Sequence, residues 1–202
     1  MLKLHHAKGS RSARIIWLLE ELGLEYEINE LEFHPRALKT DEHKKRHPLG
    51  RVPVLQDGDV TLFESGAIIQ YILARYADGN LYPATDDPAF PAYLQWFHYV
   101  EGTLMPPIGT IVTQTVLLPP ERRNADVLAM AERLASKVLG PINTVLIDNE
   151  YLIGDFSAAD VMLGHAVAMC ANLQLVNDGH PNLQAYVERI KLRPAFAKAM
   201  SL

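Results

Sequence analysis

The stretch VPVLQDGDVTLFESGAIIQYILARY, residues 52–76, limits the possible folds more than any other part of the chain. Two apolar runs, Val52-Pro53-Val54-Leu55 and Val60-Thr61-Leu62-Phe63, flank Gln56-Asp57-Gly58-Asp59. Asp-Gly between apolar runs is a strong hairpin signal, because glycine enters the positive-φ region of a tight turn without a Cβ clash. From Ser65 the apolar period lengthens to that of a helix, with Ile68, Ile69, Ile72, Leu73 and Tyr76 on one side.

The residues ahead of this stretch add a β-α-β order. MLKLHH reads as a short strand, followed by a helix whose stripe is Ile15, Ile16, Leu18, Leu19 and Leu22 and whose stop is Gly23. EYEINELEF then alternates as a second strand, with Tyr26, Ile28, Leu31 and Phe33 available for a core face. Residues 78–91, DGNLYPATDDPAFP, break the periodicity and suit a linker. Beyond them helical patterns run near 91–115, 120–148, 157–172 and 181–200, with Pro106 and Pro107 expected to bend or break the first. The predicted organisation is an α/β domain over residues 1–78 (βαβ-ββα), a linker over 79–90 and an all-α domain over 91–202.

Charge and cysteine content narrow the function. A formal net charge of −5 argues against a protein that grips nucleic acid or an anionic membrane electrostatically. The basic run His43-Lys44-Lys45-Arg46-His47 reads as solvated surface, with some capacity for a small anion. Cys170 is the single cysteine, so no intrachain disulfide forms and no oxidising compartment is indicated; it reads as a buried core thiol. No apolar leader and no run of roughly 18–20 apolar residues is present, and a soluble cytoplasmic protein is the expectation.

Three local patterns bear on chemistry. In IGDFSAADVML, Ser157 and Asp160 match a capping box in which Asp replaces Glu, with Phe156 and Val161 at the staple positions; capping accounts for Asp160 without a catalytic role. Glu64-Ser65 stand where a strand passes into a helix, where unpaired amides and the helix dipole favour an anion. A Ser65 hydroxyl with those amides suits a carboxylate, and Glu64 an ammonium, as in an α-amino acid head group; Ser65 is equally a plain N-cap. A cis Val52–Pro53 bond would turn the Val52 backbone towards an extended ligand.

Ser10 followed by Arg14 and WLLEELGLEYE, then PLGRVPVL, ESGAIIQYI, NLYP and LIGDFSAADV, resembles the cytosolic glutathione transferases, of the serine type, over nearly the whole chain. The resemblance implies a thioredoxin-like N-terminal domain that binds glutathione and an all-helical domain that shapes the co-substrate site. It also implies a homodimer, no metal, and conjugation of glutathione to a hydrophobic electrophile, with peroxidase activity as a further possibility. Carried over, Val52 pairs its backbone with the cysteinyl part, Pro53 is the family's cis-proline, and Glu64 and Ser65 bind the γ-glutamyl end. Ser10 stands where the hydroxyl meets the sulfur, with Ser12 as the alternate, and Arg51 and the Lys44-Lys45-Arg46-His47 run are candidate anchors for the glycyl carboxylate. Cysteine-type relatives carry their thiol at or beside Arg11, and this chain has none there, which argues against mixed-disulfide chemistry. In WFHYVEGTLMPPI, Tyr99, Glu101, Met105 and Ile108 fall in the region the family uses for the co-substrate, though their helical spacing equally describes core. Two alternatives remain: a noncatalytic binding or assembly module on the same fold, and a glutathione-dependent isomerase, whose Ser-Ser-Cys run is absent from Gly9-Ser10-Arg11-Ser12.

Overall fold

The computed structural model describes the backbone of residues 1–202 and every side chain except that of Pro35. The chain forms two compact units, one of Met1–Ala84 with Lys191–Leu202 and one of Thr85–Ile190.

In the first unit β1 (Leu2–His6), α1 (Ala13–Glu21) and β2 (Tyr26–Glu30) are followed by the short turns α2 (Pro35–Leu38) and α3 (Asp41–Lys44). Then come β3 (Val54–Asp57), β4 (Val60–Phe63) and α4 (Ser65–Tyr76). The strand order is β2-β1-β3-β4, with β1 and β2 parallel and the other pairs antiparallel, a thioredoxin-like arrangement. A parallel pair needs a crossover, which α1 supplies, whereas β3 and β4 need only the Gly58-Asp59 turn between the paired Asp57 and Val60. Gly58 sits there at φ 57°. Leu4 and Val54 from the sheet, Ile15, Ile16, Leu18 and Leu19 from α1, and Ile68, Ile69 and Ile72 from α4 are all fully buried, so the predicted apolar stripes are the core faces.

Two strand boundaries differ from the sequence reading. β2 ends at Glu30, opposite the last residue of β1, His6, so Leu31 and Phe33 lie outside the ladder and Phe33 is 59% exposed instead of in the core. β3 starts at Val54 rather than Val52, because Pro53 has no N–H to donate to a ladder.

The second unit is helical: α5 (Phe90–Tyr99), a π-helical stretch (Val100–Leu104), α6 (Met105–Val112), a second π-helical stretch (Thr113–Leu117), a short 3₁₀ turn (Pro120–Arg122), α7 (Ala125–Val145), α8 (Ala158–Asn172) and α9 (Pro181–Lys191). Pro106 and Pro107 neither break nor end the first run. They occupy the opening turn of α6, directly after the π-helical stretch in which the α-helical hydrogen-bond register changes. Met105 and Ile108 are buried, whereas Tyr99 and Glu101 are half-buried, with the Tyr99 hydroxyl donated to the Val138 carbonyl at 2.8 Å, so the aliphatic part of this stripe serves as core.

Asp160 is fully buried at the start of α8. Its Oδ2 accepts from the Ser157 N–H (3.0 Å) and hydroxyl (3.1 Å), and its Oδ1 from the Leu152 N–H (3.1 Å) and Tyr186 hydroxyl (3.1 Å). Burial pushes this carboxyl up to about 6, against the four donors that favour its charged form. Capping, as expected, explains the pair. Cys170 is buried on the same helix, and burial pushes its thiol up to about 12.

The 181–200 pattern is two helices, not one. Pro194 confines Arg193 to an extended conformation (φ −77°, ψ 122°), which stops α9 and starts α10 (Pro194–Ser201). α10 belongs to the first unit and not to the helical one, so the division expected at the 79–90 linker does not hold at the chain's end. Arg193 pairs with Glu21 through two nitrogens at 2.7 Å, Lys198 with Glu20 at 2.7 Å, and the Phe196 ring meets Trp17 edge-on at 4.8 Å. Trp17 is thereby fully buried, with its indole N–H donated to Glu21.

Candidate functional site

Strand register gathers the candidate residues. His5 pairs with Val54, and Val54 pairs with Phe63, so the end of β1, the start of β3 and the end of β4 lie along one edge of the sheet, the edge formed by strand ends rather than by an outer strand. The Gly9–Ser12 loop leaves from that edge, Val52–Pro53 enters through it, and Glu64-Ser65 depart from it into α4. Three segments far apart in sequence thus meet because two antiparallel pairings share a strand.

The loop after β1 carries a compact hydroxyl network. Ser12 occupies the N-cap position of α1 but makes no side-chain cap bond. Its Oγ instead lies 2.8 Å from His6 Nδ1 and 2.6 Å from Ser10 Oγ, accepts from the Ala7 N–H at 3.3 Å, and stands 3.4 Å from the Ala7 carbonyl. Ser10 Oγ also accepts from the Ser12 N–H at 3.3 Å. Ser12 is 0% exposed and Ser10 6%, so Ser12 is spent on the fold and Ser10 is the nearer of the two to the surface.

Arg14 is fully buried in the first turn of α1, with Nη1 donating to the Ser65 hydroxyl at 3.3 Å. This bond ties the start of α1 to the start of α4 and sets a guanidinium beside the amides of Ser65 and Gly66. Such a combination of cation and helix N-terminus suits a carboxylate. Glu64 is exposed and adopts φ 73°, ψ 113°, a conformation that costs a non-glycine residue of the order of 1–3 kcal/mol. Strain of that kind clusters at functional sites, and here it is stored at the entrance to α4.

The Val52–Pro53 bond is cis. Upstream, Gly50 at φ 57° brings its backbone so close to Leu38 that a Cβ would lie 2.4 Å from the Leu38 carbonyl oxygen. His43 Nε2 donates to the Arg51 carbonyl at 2.8 Å. Together these two contacts fix the approach to Val52. The basic run is therefore split: His43 and His47 are buried, His47 against the Phe63 ring at 4.6 Å, while Lys44 and Lys45 are exposed and Arg46 pairs with Glu42 at 2.7 Å. Arg51 is exposed.

His5 and His6, which end the first strand and from sequence could either approach a ligand or serve the fold, are both buried. His5 Nδ1 meets Asn29 Nδ2 at 2.8 Å and its Nε2 meets Gln56 Oε1 at 2.7 Å, a cross-strand polar bridge that fixes the neutral Nε2–H tautomer. Burial holds both histidines below their usual titration range. The sequence signal that marks Arg14 is a cation inside the otherwise apolar run ARIIWLL. His6 carries none, since histidine at a strand end is ordinary. Among the described residues no group of three or more His, Cys, Asp or Glu side chains is placed to hold a metal ion. No helix among them is long and apolar enough to cross a membrane.

Comparison with known proteins agrees with this layout. Residues 1–74 match a family model described as glutathione S-transferase, N-terminal domain, and residues 104–194 one described as glutathione S-transferase, C-terminal domain. A probable glutathione S-transferase of Oryza sativa subsp. japonica is 33% identical over 95% of this chain and 91% of its own length. A glutathione transferase of Phanerochaete chrysosporium, solved in complex with oxidized glutathione, has a TM-score of 0.88 at 26% identity, covering 99% of this chain and 94% of that one. A theta class glutathione S-transferase from Xanthomonas axonopodis pv. citri, solved with glutathione bound, has a TM-score of 0.84 at 27% identity, covering 100% and 97%.

Proposed function

The chain belongs to the glutathione S-transferase family, and on that premise we propose that it binds glutathione, holds the thiol as thiolate through Ser10, and transfers the glutathionyl group to a hydrophobic electrophile. The observation that carries this reading is the shared sheet edge that gathers the Ser10 loop, Val52–Pro53 and Glu64-Ser65. Arg14 and the first amides of α4 hold the γ-glutamyl carboxylate, Glu64 its ammonium, and the Val52 backbone the cysteinyl segment. Arg51, exposed at the same edge, is the anchor proposed for the glycyl carboxylate.

A thiol with a pKa of about 8.5 is only a few per cent thiolate at neutral pH, and the thiolate is the nucleophile. A hydroxyl donating to sulfur, just ahead of the α1 N-terminus, lowers that pKa; each unit corresponds to about 1.4 kcal/mol. Ser10 acts as a donor only. Sulfur forms the new bond to carbon, the leaving group departs with its electron pair, and the thiol proton passes to solvent before the attack. We propose a homodimer as the working form, supported by Leu49 and Phe63, which the first unit exposes by 62% and 38%.

Binding to immobilised glutathione, followed by conjugation of an aryl halide by wild type and Ser10→Ala, tests the reading. The expected outcome is binding by both and a loss in kcat/KM of roughly 10–100-fold in the variant, the worth of a hydrogen bond to a charged group. Equal conjugation removes Ser10 as the donor and turns attention to Ser12. Binding without conjugation by either protein would replace the enzyme by a noncatalytic glutathione-binding module.

A further inference from the structure

We propose that His6 is a positioning residue that acts through Ser12 to decide whether Ser10 offers its hydroxyl proton or its lone pair to the bound sulfur. The proposal rests on the reading of Ser10 as the sulfur's hydrogen-bond donor.

A serine hydroxyl has one proton to give and two lone pairs with which to accept. Suppose that His6 carries its proton on Nδ1. Ser12 Oγ then accepts from Nδ1–H at 2.8 Å and from the Ala7 N–H at 3.3 Å, which fills both lone pairs. The 2.6 Å contact between the two serines must therefore be made by the proton of Ser12. Ser10 Oγ accepts that proton together with the Ser12 N–H at 3.3 Å, so its own O–H turns out of the network. A thiolate placed there meets a donor.

Suppose instead that Nδ1 is bare. Ser12 donates to His6, Ser10 must donate to Ser12, and only a lone pair of Ser10 faces the site. A thiolate placed there meets repulsion. The one other acceptor open to Ser12, the Ala7 carbonyl at 3.4 Å, is the longest contact in the set and does not compete with either short bond.

The burial of His6 selects between the two arrangements. Its Nε2 is fully enclosed and has no hydrogen-bond partner among the described residues. In a neutral imidazole, a proton on Nε2 would bury an orphan donor, whereas a proton on Nδ1 leaves only an under-used acceptor, the better tolerated of the two. Of the groups that face His6, the Leu202 backbone is the one that works against this choice, since it favours a proton on the ring although it forms no well-aligned bond to Nε2. Glu30 lies opposite on β2 and Lys8 two residues on. Burial, aided by Lys8 and opposed by Glu30 and the Leu202 backbone, keeps the ring neutral near pH 7. His5, one residue earlier, is held in the opposite tautomer by Asn29 and Gln56, so adjacent histidines on one strand carry their protons on different nitrogens.

The direct test is the tautomer itself, read from ring nitrogen shifts and one-bond couplings of ¹⁵N-histidine-labelled wild type with glutathione bound. A proton on His6 Nδ1 is expected; a proton on Nε2 overturns the proposal. The functional test is the pKa of the bound glutathione thiol, followed by thiolate absorbance against pH in Ser10→Ala, His6→Leu, His6→Asn and Ser12→Ala. Ser10→Ala raises it by about one unit or more. His6→Leu and Ser12→Ala raise it part of the way, with glutathione affinity retained, and His6→Asn, which again offers an N–H to Ser12, restores the wild-type value. A folded, glutathione-binding His6→Leu with the wild-type thiol pKa overturns the role of His6 alone, provided that Ser10→Ala does move it. A Ser10→Ala curve that coincides with wild type overturns the Ser10 reading, and His6 with it. If His6→Leu fails to fold, the labelled wild type and His6→Asn still decide.

Discussion

Replacing Glu64 by glycine separates stability from binding within one residue. Glu64 is held at φ 73°, ψ 113°, so glycine relieves about 1–3 kcal/mol of backbone strain. Against that, glycine increases the entropy of the unfolded chain, a penalty of about 0.4–1 kcal/mol. The net expectation is a protein more stable by roughly 0.5–2 kcal/mol, since the exposed Glu64 side chain makes no cap bond whose loss would offset the gain. Glutathione affinity should move the other way, weakening by about tenfold, or 1.4 kcal/mol, as the carboxylate proposed to hold the ammonium disappears. Denaturant unfolding and calorimetric titration read the two effects, and Glu64→Gln, which removes the charge but keeps the strain, should weaken binding without stabilising. A destabilised Glu64→Gly would show that the conformation is not strained in the protein. Unchanged affinity would show that Glu64 does not meet the ligand.

Three further outcomes follow from buried groups. Asp160→Asn turns an amide NH₂ towards two of the four donors that converge on the carboxylate, and the fold should lose roughly 2–5 kcal/mol in denaturant melts; a loss below about 1 kcal/mol contradicts the network described. Cys170, buried with its thiol pushed up to about 12, should resist alkylation at pH 8 in the native protein and react once it is unfolded. His5, His6 and His47 all titrate below 6.5 when folded, chiefly through burial. As pH falls through 6.5 the unfolded state takes up protons first, so stability present above that pH is lost on acidification by up to about 1.4 kcal/mol per pH unit per histidine. Melts at pH 7.5 and 5.5 should show the loss, and His5→Gln should reduce it.

Elements whose cause is local were legible in the sequence. The Asp57-Gly58 turn, the stripes of α1 and α4 and the Ser157–Asp160 cap depend on residues within a few positions of one another, and all stand where periodicity and turn chemistry put them. What escaped depends on distant partners. Phe33 fits an alternating pattern, but β2 stops where its neighbour β1 stops. α10 has an ordinary amphipathic pattern, and nothing in it says that Arg193 and Phe196 belong with Glu21 and Trp17. Lys44 and Lys45 are solvated as their type suggests, whereas His43 and His47 in the same run turn inwards. The sequence named Ser10 and Ser12 but not the hydrogen bond that engages Ser12, because that bond belongs to His6, a residue whose burial no local pattern reveals.

A crystal structure with reduced glutathione bound decides which hydroxyl meets the sulfur. The sulfur is expected within about 3.5 Å of Ser10 Oγ, with Ser12 Oγ still engaged by His6 and the γ-glutamyl group at Glu64 and Ser65. A sulfur that instead meets Ser12 Oγ, or lies out of hydrogen-bond reach of Ser10, would contradict the role proposed for Ser10.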